Sequence, residues 1–460
     1  MDYDLVVIGC GAGGLAAAVA YADLVGRNAR IAVLERATRE ARGGATRWTS
    51  SWFRITADRQ LDPAFTETMQ RVTGGKADLE YCRAYAREVP ATFDFLDRHG
   101  VPWIYFEQPF ANRNTGGGLG MPVPGGVAIV DTLAKVVDAL PNATIHYETE
   151  AVALSTDDDG GVSGVQVRGP DGRQHLAARA VVIACGGFEG APDMLRDHLG
   201  PRGAELPLIA PTLVNNRGDG IRLTAPLGAD LAGQFDMFHG EPVDRRSSKP
   251  DAVVYAYPYG IVVNRAARRF FDEGADSFDA TFERLGYEIW SSQDQEAYLV
   301  AEKAILDWPN VANIILTDQP PLEAETIAGL AEKLGLDPAA LAATVNQYNA
   351  AIGPGETDRR IRDGKAATGI DPPKSNWATP IRNGPFIGYP LTCAITFTFG
   401  GIRSDGRARV IRRDGTPIAR LYAAGEVTGL YYNEYPAGTS VLRALTLGRI
   451  AAREAAGARS

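Results

Sequence analysis

The sequence of 460 residues has no long apolar run and no excess of positive charge. Its apolar runs, such as residues 178–184, are much shorter than the roughly 20 residues that a membrane-spanning helix needs. The first residues lack the basic stretch and long apolar core of a signal peptide. The formal net charge of -9 gives no general attraction to phosphate backbones or anionic lipid. We therefore expect a cytoplasmic protein that binds no nucleic acid and does not insert into a membrane.

Cysteine is scarce too. The four cysteines, Cys10, Cys82, Cys185 and Cys393, are far apart and form no pair with the spacing of metal ligands or of a haem attachment site. We therefore expect a reducing compartment and no bound metal. With 45% apolar and 22% charged residues, the composition is that of a folded globular protein, and the length favours two domains.

The N-terminal residues predict a βαβ unit. Residues 5–8 form a continuous apolar run, which is typical of a strand buried on both faces of a parallel sheet. The Ala- and Leu-rich residues 14–25 suit a helix, and residues 31–34 provide a second buried strand. This pattern predicts an α/β fold with a central parallel sheet.

Glycines join the first strand to the helix. Gly9, Gly11 and Gly14 stand at the three positions of a dinucleotide-binding fingerprint. The first allows a tight turn, the second lets the backbone approach a pyrophosphate, and the third lets helix and strand pack closely. The phosphates would lie at the helix N-terminus, and Glu35 is placed to accept hydrogen bonds from the adenosine ribose. The fingerprint predicts a dinucleotide but does not distinguish FAD from NAD.

The far end of the chain favours FAD. Residues 180–184 form another apolar strand that ends in a glycine pair, so the chain returns to the same sheet. Residues 421–426 predict a last strand, and residues 440–456 predict a closing helix. An NAD domain would not be expected to complete its nucleotide site with a C-terminal strand and helix.

An aromatic-rich segment interrupts the predicted FAD domain. Tyrosine and phenylalanine are concentrated in residues 255–290, and residues 353–373 are rich in proline and glycine. We therefore predict a Rossmann-like FAD-binding domain, with a central parallel sheet, over residues 1–236 and 381–460. An α+β capping domain is inserted over residues 237–380.

Several motifs resemble those of the flavoprotein superfamily of fumarate reductases and succinate dehydrogenases, which also contains 3-ketosteroid dehydrogenases. The resemblance covers nearly the whole chain and rests on the glycine fingerprint with Glu35, RGGATR at 42–47, NRGDG at 216–220, GIVVN at 260–264, RFFDE at 269–273 and LYAAGE at 421–426. Within the superfamily, residues 269–276 and 395–401 are most similar to the FAD-dependent tricarballylate dehydrogenases.

The resemblance implies a non-covalent FAD. In the family a covalent flavin is carried on a histidine just after the glycine pair, whereas Thr46 and Arg47 occupy that region here. Glu426 is expected near the ribityl chain, and the helix that opens near Ser440 is expected to face the flavin pyrimidine edge, where its N-terminus would stabilise negative charge. The predicted cofactor-binding residues are Gly9, Gly11, Ala12, Gly13, Gly14, Glu35, Arg36, Gly43, Gly44, Ala45, Thr46, Val152, Ala184, Cys185, Gly186, Gly187, Asn216, Gly218, Asp219, Gly425, Glu426, Ser440 and Val441.

Chemistry at a carbon–carbon bond needs a hydride partner, which flavin N5 supplies, and a group that donates or accepts a proton. The family's proton-transferring Arg or Tyr corresponds to Ser277, beside Asp276, so neither expected residue is present.

The arginine that clamps the substrate carboxylate in the family corresponds to Tyr435, and in the ketosteroid enzymes a tyrosine there polarises a ketone. His239 corresponds to a substrate-binding histidine, although packing alone is the alternative for it and for Tyr435. The predicted catalytic residues are Tyr435, His239, Asp276 and Arg47.

Arginines are candidate binding groups for an organic acid. Arg47, Arg54, Arg113, Arg245 and Arg246 are able to bind a polycarboxylate through bidentate hydrogen bonds, although solvated surface charge is the alternative for Arg113 and Arg246. A structural role is predicted for Arg269, which would orient the capping segment. For Arg443 the sequence leaves open whether the side chain faces substrate or solvent.

Together these features predict an oxidoreductase that exchanges a hydride between FAD and a carbon–carbon bond of a small carboxylic acid, tricarballylate-like in the nearest resemblance. Aromatic residues at 48, 52, 431 and 432 favour a competitor, a desaturase of a cyclic ketone or keto acid in which Tyr435 polarises the carbonyl. A non-catalytic flavin-binding subunit is a third hypothesis, because the usual proton donor is missing. No haem or iron–sulfur ligand set is present, so we expect oxygen, a quinone or a partner protein to accept the electrons.

Overall fold

The computed structural model describes residues 2–107, 110–111 and 118–458. The chain divides into two compact units. Unit 1 contains Met1–Glu107, Asn114–His239 and Thr396–Ser460, and unit 2 contains Gln108–Arg113 and Gly240–Ile395. The assignment of FAD binding to one domain and of a capping role to the other stays a prediction.

The helices and strands are numbered in chain order. The helices are α1 (Ala12–Val25), α2 (Phe65–Val72), α3 (Leu79–Arg98), α4 (Gly126–Asp138), α5 (Pro192–Leu199), α6 (Asp219–Thr224), α7 (Phe278–Ser292), α8 (Ile327–Leu334), α9 (Pro338–Ala351) and α10 (Ser440–Gly457). The strands are β1 (Leu5–Ile8), β2 (Ile31–Leu34), β3 (Trp103–Glu107), β4 (Gly118–Pro122), β5 (Ala143–His146), β6 (Glu150–Thr156), β7 (Val162–Gly169), β8 (Gly172–Ala177), β9 (Val181–Ile183), β10 (Leu231–Ala232), β11 (Phe238–Asp244), β12 (Ile261–Asn264), β13 (Ala297–Glu302), β14 (Leu322–Ala324), β15 (Phe386–Thr398), β16 (Gly401–Ile402), β17 (Arg409–Ile411) and β18 (Pro417–Ala423).

Unit 1 is built on a six-stranded sheet in the order β17-β18-β9-β1-β2-β5. The pairs from β18 to β5 are parallel, and β17 is antiparallel to β18. Every residue of β1 and β2 is buried, as their continuous apolar sequences predict. The helices α1 and α10 pack so closely that a Cβ on Gly448 would overlap the carbonyl oxygen of Gly13. The predicted α/β fold with a Rossmann-like sheet is confirmed.

A three-stranded antiparallel sheet, β6-β7-β8, precedes β9 in the chain. Its pairing register shifts between Ala151 and Ala153, so Val152 lies at a bulge of β6. Bulges turn a strand locally and re-aim its side chains. This bulge follows Glu150, whose carboxylate binds Arg36.

Unit 2 contains an antiparallel sheet in which β15 pairs with β13 and β14, and β13 pairs with β12. Its helices begin at residues that suit helix N-termini. The Thr326 hydroxyl accepts a hydrogen bond from the backbone N–H of Gly329 at 3.0 Å before α8. The Asp337 carboxylate accepts one from Ala340 at 2.7 Å, with Pro338 in the first turn of α9.

Arg269 and Glu273 form a buried ion pair in unit 2, with Nη2 and Oε2 2.6 Å apart. Arg269 also donates to the carbonyl oxygen of Pro372 at 2.7 Å, and Glu273 accepts from the backbone N–H of Val262 at 2.8 Å. The pair therefore joins β12 to residues 372–373, which are distant in sequence. This arrangement supports the structural role predicted for Arg269.

The part of the chain that the structure describes has neither a membrane-spanning helix nor a metal-binding cluster. There, no helix is long and apolar enough to cross a membrane, and no group of three or more His, Cys, Asp or Glu side chains is arranged to hold a metal ion. All four cysteines are free thiols.

Candidate active site

The glycine fingerprint lies where β1, β9 and β18 end at the same edge of the parallel sheet. Gly9 has a φ of +110°, and a Cβ added to it would overlap the carbonyl oxygen of Ala184, just after β9. A Cβ on Gly14 would overlap the carbonyl oxygen of Gly9, and one on Gly13 would lie 3.2 Å from that of Ala424, just after β18. Glycine is therefore required at positions 9 and 14 by backbone packing.

Residues 43–46 lie against the start of α1. The hydroxyl of Thr46 accepts a hydrogen bond from the backbone N–H of Ala12 at 3.1 Å. The backbone N–H of Gly43, whose φ is +104°, donates to Oε2 of Glu35 at 3.3 Å. Gly11, which precedes α1, provides no side chain to cap the helix. The predicted residues of the fingerprint, of the second strand end and of the 43–46 segment are thus brought together.

Glu35 is buried at the end of β2. Burial raises the pKa of Glu35, and the backbone N–H groups of Ala37, Gly43 and Cys10 oppose that rise. The bond from the backbone N–H of Ala37 to Oε1 is 2.8 Å long. A carboxylate has about four acceptor positions, so these bonds leave capacity for the ribose hydroxyl that the sequence predicts as its ligand.

Two further predicted cofactor residues, Arg36 and Asp219, form an ion pair with each other. Nη2 of Arg36 lies 2.7 Å from Oε1 of Glu150 and 2.8 Å from Oδ2 of Asp219, and Nη1 donates to the carbonyl oxygen of Asn215 at 2.9 Å. Burial raises the pKa of Asp219, and the charge of Arg36 opposes that rise. Both residues therefore hold β6 and the start of α6 beside the nucleotide edge of the sheet, next to Val152.

A second glycine turn follows β9. Oε1 of Glu426 accepts a hydrogen bond from the backbone N–H of Thr398 at 3.0 Å and occupies the space that a Cβ on Gly187 would need. A Cβ on Gly186 would lie 2.5 Å from Nδ2 of Asn216. These four predicted cofactor residues form one cluster because glycine lets two polar side chains approach the turn.

Sequence analysis missed Glu189, which belongs to the same cluster. Nδ2 of Asn216 donates to Oε1 of Glu189 at 2.6 Å, and Glu189 is 1% exposed. The available signal was an acidic residue two positions after the glycine pair, close to a buried strand. A carboxyl group is seldom fully buried unless it is paired.

The remaining predicted cofactor residues line the same region or the start of α10. Gly218 donates its backbone N–H to the carbonyl oxygen of Gly187 at 2.8 Å, and Gly425 has a φ of +86°. Burial raises the pKa of the Cys185 thiol to about 12, so this cysteine is a neutral packing group. Val441 is partly buried in the first turn of α10.

These features fit FAD in two ways. The sheet edge has positions that a Cβ would fill, at Gly9 and Gly14. There α1 begins at Gly11, which has no side chain of its own to cap the helix, and a helix N-terminus of this kind binds a pyrophosphate. Glu35 and Glu426 place a carboxylate at each of two glycine turns, where hydroxyl groups of a dinucleotide can donate hydrogen bonds.

Tyr435 lies at the N-terminus of α10. Its Oη accepts hydrogen bonds from the backbone N–H groups of Thr439 and Ser440, both at 2.9 Å, and donates to the Ser440 hydroxyl at 3.1 Å. Its ring lies 4.7 Å from that of His239 and 5.0 Å from that of Phe397, measured between ring centroids. The structure therefore brings two predicted catalytic residues, Tyr435 and His239, into contact with each other, and Tyr435 into contact with the predicted cofactor residue Ser440.

The candidate arginines have carboxylate partners. Arg47 pairs with Asp131 at 3.0 Å, an aspartate that also binds Arg42 at 2.6 Å. The pair of Arg54 with Asp62, at 2.6 Å, is almost wholly buried. In unit 2, Arg245 pairs with Glu296 at 3.1 Å and Arg246 with Asp244 at 2.7 Å. Arg113 lies outside the described residues.

Asp276 precedes α7 in unit 2. Its Oδ1 accepts the backbone N–H of Ser277 at 2.8 Å, and Oδ2 lies 3.5 Å from Nη1 of Arg362. The Ser277 hydroxyl is buried and has no hydrogen-bond partner among the residues that the structure describes. The proton-transfer role of this segment stays a prediction.

Arg443 faces the interior of unit 1 and is 2% exposed, so the solvent-facing interpretation is wrong. Its Nη1 donates to the Thr428 hydroxyl at 3.0 Å and to the Tyr81 hydroxyl at 3.3 Å, and its guanidinium lies 5.0 Å from the ring centroid of Tyr431. Since the surrounding groups are phenols and hydroxyls, Arg443 is a buried cation near the start of α10.

Residues 4–441 match the family model described as FAD binding domain. The chain belongs to this family. It is 27% identical to 4-oxocyclohexanecarboxylate 2-dehydrogenase of Sinomonas cyclohexanicum, over 99% of this chain and 93% of that protein. The structure of 3-ketosteroid-delta4-(5alpha)-dehydrogenase from Rhodococcus jostii RHA1 has a TM-score of 0.73 and 26% identity, covering 99% of this chain and 96% of that chain. A flavocytochrome c3 fumarate reductase has the same fold, with a TM-score of 0.79 and 20% identity, covering 99% of this chain and 78% of that chain.

Membership of this FAD-binding family decides the cofactor, the class of reaction and the superfamily. The cofactor is FAD rather than NAD, the family is one of FAD-dependent oxidoreductases acting on CH–CH bonds, and the predicted fumarate reductase-like flavoprotein superfamily is confirmed. The finer placement beside tricarballylate dehydrogenases stays a prediction.

Proposed function

We propose that this FAD-binding protein is a dehydrogenase that introduces a carbon–carbon double bond next to the carbonyl group of a cyclic ketone bearing one carboxylate. The observation that carries this proposal is the position of the Tyr435 hydroxyl at the N-terminus of α10. Two backbone N–H groups already donate to its oxygen, so what the hydroxyl offers a ligand is its proton. A ketone oxygen accepts such a proton, whereas the family's arginine at this place would bind a carboxylate.

FAD, when bound, supplies the hydride-accepting chemistry of such a reaction. The residues that would hold it are the glycine turns at 9–14 and 186–187, together with Glu35 and Glu426. We propose that the cofactor is non-covalent. The hydroxyl of Thr46 binds the start of α1, and no histidine stands at residues 43–47 to form a covalent link.

Tyr435 would act on the substrate carbonyl. Hydrogen bonds that a hydroxyl accepts make it a stronger donor, because the bonds polarise one another, and the positive end of the α10 dipole adds to that effect. Its proton points to the Ser440 hydroxyl, and a ketone oxygen would replace Ser440 as the acceptor. A donor at that oxygen stabilises negative charge as it develops there and so acidifies the neighbouring C–H group.

The net charge around Arg47 favours a substrate with one carboxylate group over a substrate with three. Arg42 and Arg47 share the single carboxylate of Asp131, which leaves one net positive charge in this group of three. Arg47 is therefore the candidate group for the acid function of the substrate. A tricarballylate-like acid is the weaker candidate, since Arg54 has a buried partner of its own.

The relative from Sinomonas supports the same chemical class, because the substrate in its name carries a ring ketone and one carboxylate. The Rhodococcus structure supports the ketone, since its name refers to a ketosteroid. His239 and Asp276 stay the predicted candidates for the proton acceptor.

Anaerobic mixing of the FAD-loaded protein with three acids tests the proposal. We expect 4-oxocyclohexanecarboxylate to bleach the flavin absorbance, whereas cyclohexanecarboxylate, which lacks the ketone, and tricarballylate leave it unchanged. Bleaching by tricarballylate alone would overturn the keto-acid proposal. Repeated turnover with an artificial electron acceptor would exclude the non-catalytic subunit, and oxygen, a quinone and a partner protein would then be compared as the natural acceptor.

A further inference from the structure

A pair of carboxyl groups lies beside the glycine turn at residues 186–187. The carboxyl group of the buried Glu189 lies beside that of Glu426, close enough for a hydrogen bond between them, and Glu426 is partly exposed. Asn216 donates to Oε1 of Glu189 at 2.6 Å. Oε2 of Glu189 has no hydrogen-bond donor among the described residues. Glu189 is therefore a buried acid whose carboxyl group lies beside Asn216 and Glu426.

Two carboxyl groups in hydrogen-bond contact need a proton between them, because two adjacent carboxylates repel each other and neither is a donor. Burial, followed by the charge of Glu426, raises the pKa of Glu189 well above its ordinary range. Burial also raises the pKa of Glu426, but hydrogen bonds from Glu189, Thr398 and Gly187 and the charge of Arg443 oppose that rise. The shared proton therefore belongs mainly to Glu189, and Glu426 is the carboxylate of the pair.

Glu426 is held in a fixed place by the groups around it. The backbone N–H of Thr398 donates to its Oε1 at 3.0 Å, and the missing Cβ of Gly187 provides the space for that oxygen. The charged groups that act on the pair are the two carboxyls themselves and Arg443 of α10. Since Glu426 is partly exposed as a residue, its carboxylate can accept a hydrogen bond from outside the cluster.

We propose that Glu189 is a positioning residue for FAD: as a neutral acid it shares its proton with Glu426 and holds that carboxylate at the glycine turn, where it accepts a hydrogen bond from a ribityl hydroxyl. This inference rests on the proposed function, since it concerns the same cofactor. Loss of the shared proton creates two adjacent carboxylates that repel each other. Glu426 then moves, and FAD is held less tightly.

The test measures release of FAD from the loaded protein after dilution, by flavin fluorescence, from about pH 6 to about pH 9, a range that reaches the pKa of buried glutamates. For the wild type we expect the apparent FAD affinity to fall at least tenfold across this range. Glu189→Gln keeps the size of the side chain, an acceptor for Asn216 and a donor for Glu426, but it cannot ionise. Its affinity should match that of the wild type at low pH and stay constant as the pH rises.

Glu332→Gln, an exposed substitution on α8, is the matched control and should follow the wild-type profile. Glu189→Leu removes the donor and should weaken FAD binding at every pH. A purely structural role for Glu189 would change the melting temperature of the variants but leave the pH profile of Glu189→Gln like that of the wild type, and that result would overturn the inference. A flat wild-type profile with FAD bound would also overturn it, whereas failure of the wild type to bind FAD at any pH would refute the proposed function instead.

Discussion

The hydroxyl oxygen of Tyr435 accepts a hydrogen bond from the backbone N–H of Ser440 at 2.9 Å. It also accepts from Thr439, the N-cap residue of α10, whose own side chain makes no capping bond. The Thr439 hydroxyl instead donates to the carbonyl oxygen of Pro436 at 2.8 Å. Tyr435 thus satisfies N–H groups that a helix start otherwise leaves unpaired, and any ligand that takes its proton is coupled to the start of α10.

Replacing Tyr435 with phenylalanine should affect both stability and catalysis. The change leaves two backbone N–H groups without their acceptor, so we expect the free energy of unfolding to fall by about 1–3 kcal/mol. Because the donor to the substrate ketone is lost as well, kcat for the keto acid should fall by a factor of roughly a hundred, the size of one lost oxyanion donor. Urea denaturation and steady-state kinetics measure the two effects.

Tyr348→Phe is the control for this prediction. The Tyr348 hydroxyl donates to the carbonyl oxygen of Thr379 at 2.9 Å in unit 2, so its removal should lower stability without lowering kcat. Equal loss of kcat in both variants, or full kcat in Tyr435→Phe, would contradict the role of Tyr435 in catalysis.

A methyl group at position 14 should disturb the nucleotide turn. The Cβ of Gly14→Ala would overlap the carbonyl oxygen of Gly9, so the turn must move. We expect an unfolding free energy lower by about 1–3 kcal/mol and a several-fold lower ratio of flavin to protein absorbance after purification. Gly457→Ala, where an added Cβ meets no atom within 4 Å, should retain FAD fully. Unchanged flavin content in Gly14→Ala would show that the phosphates bind elsewhere.

Substitutions at Arg47 and Asp131 should change KM in opposite directions. Arg47→Ala removes a charged hydrogen-bond donor worth about 1.5–3 kcal/mol, so KM for a keto acid should rise roughly tenfold or more. Asp131→Asn removes the carboxylate that Arg47 and Arg42 share and should lower KM for the acid. Neither change should alter KM for cyclohexanone, which has no carboxylate. A rise in KM for both substrates in Arg47→Ala would exclude a specific acid-binding role.

The Arg54–Asp62 pair should be structural. The two side chains are 4% and 0% exposed and lie 2.6 Å apart. Arg54→Met leaves a buried carboxylate without its partner, which costs about 3–5 kcal/mol of unfolding free energy, whereas the double variant with Asp62→Leu should recover most of that loss. Denaturant titration of the single and double variants measures the difference. An Arg54→Met protein of wild-type stability with a raised KM for acids would instead make Arg54 a substrate ligand.

The nucleotide half of the site could be predicted because its signals are local. The apolar runs of β1 and β2, the glycines at 9, 11 and 14, and Glu35 follow one another within a single βαβ unit, and backbone geometry alone requires glycine at such turns. The family resemblance narrowed the predicted dinucleotide to FAD, and the match to the FAD-binding family confirms that cofactor.

Side-chain partners could not be predicted in the same way. The sequence makes Arg47 a candidate cation for a substrate acid, and only the fold shows that Asp131 neutralises part of its charge. Glu189 was overlooked because its partner, Glu426, is more than two hundred positions away in the sequence. Even the local contact of Tyr435 with Ser440 depends on how the chain turns into α10.

By itself, then, the sequence determined the βαβ fingerprint, the α/β class and the flavin family, because backbone hydrogen bonding and apolar periodicity act over short stretches of chain. The tertiary structure alone decided which charges are neutralised, which carboxyl groups lie side by side and what the Tyr435 hydroxyl binds. Such electrostatic contacts depend on distances of a few ångströms between residues that only folding brings together.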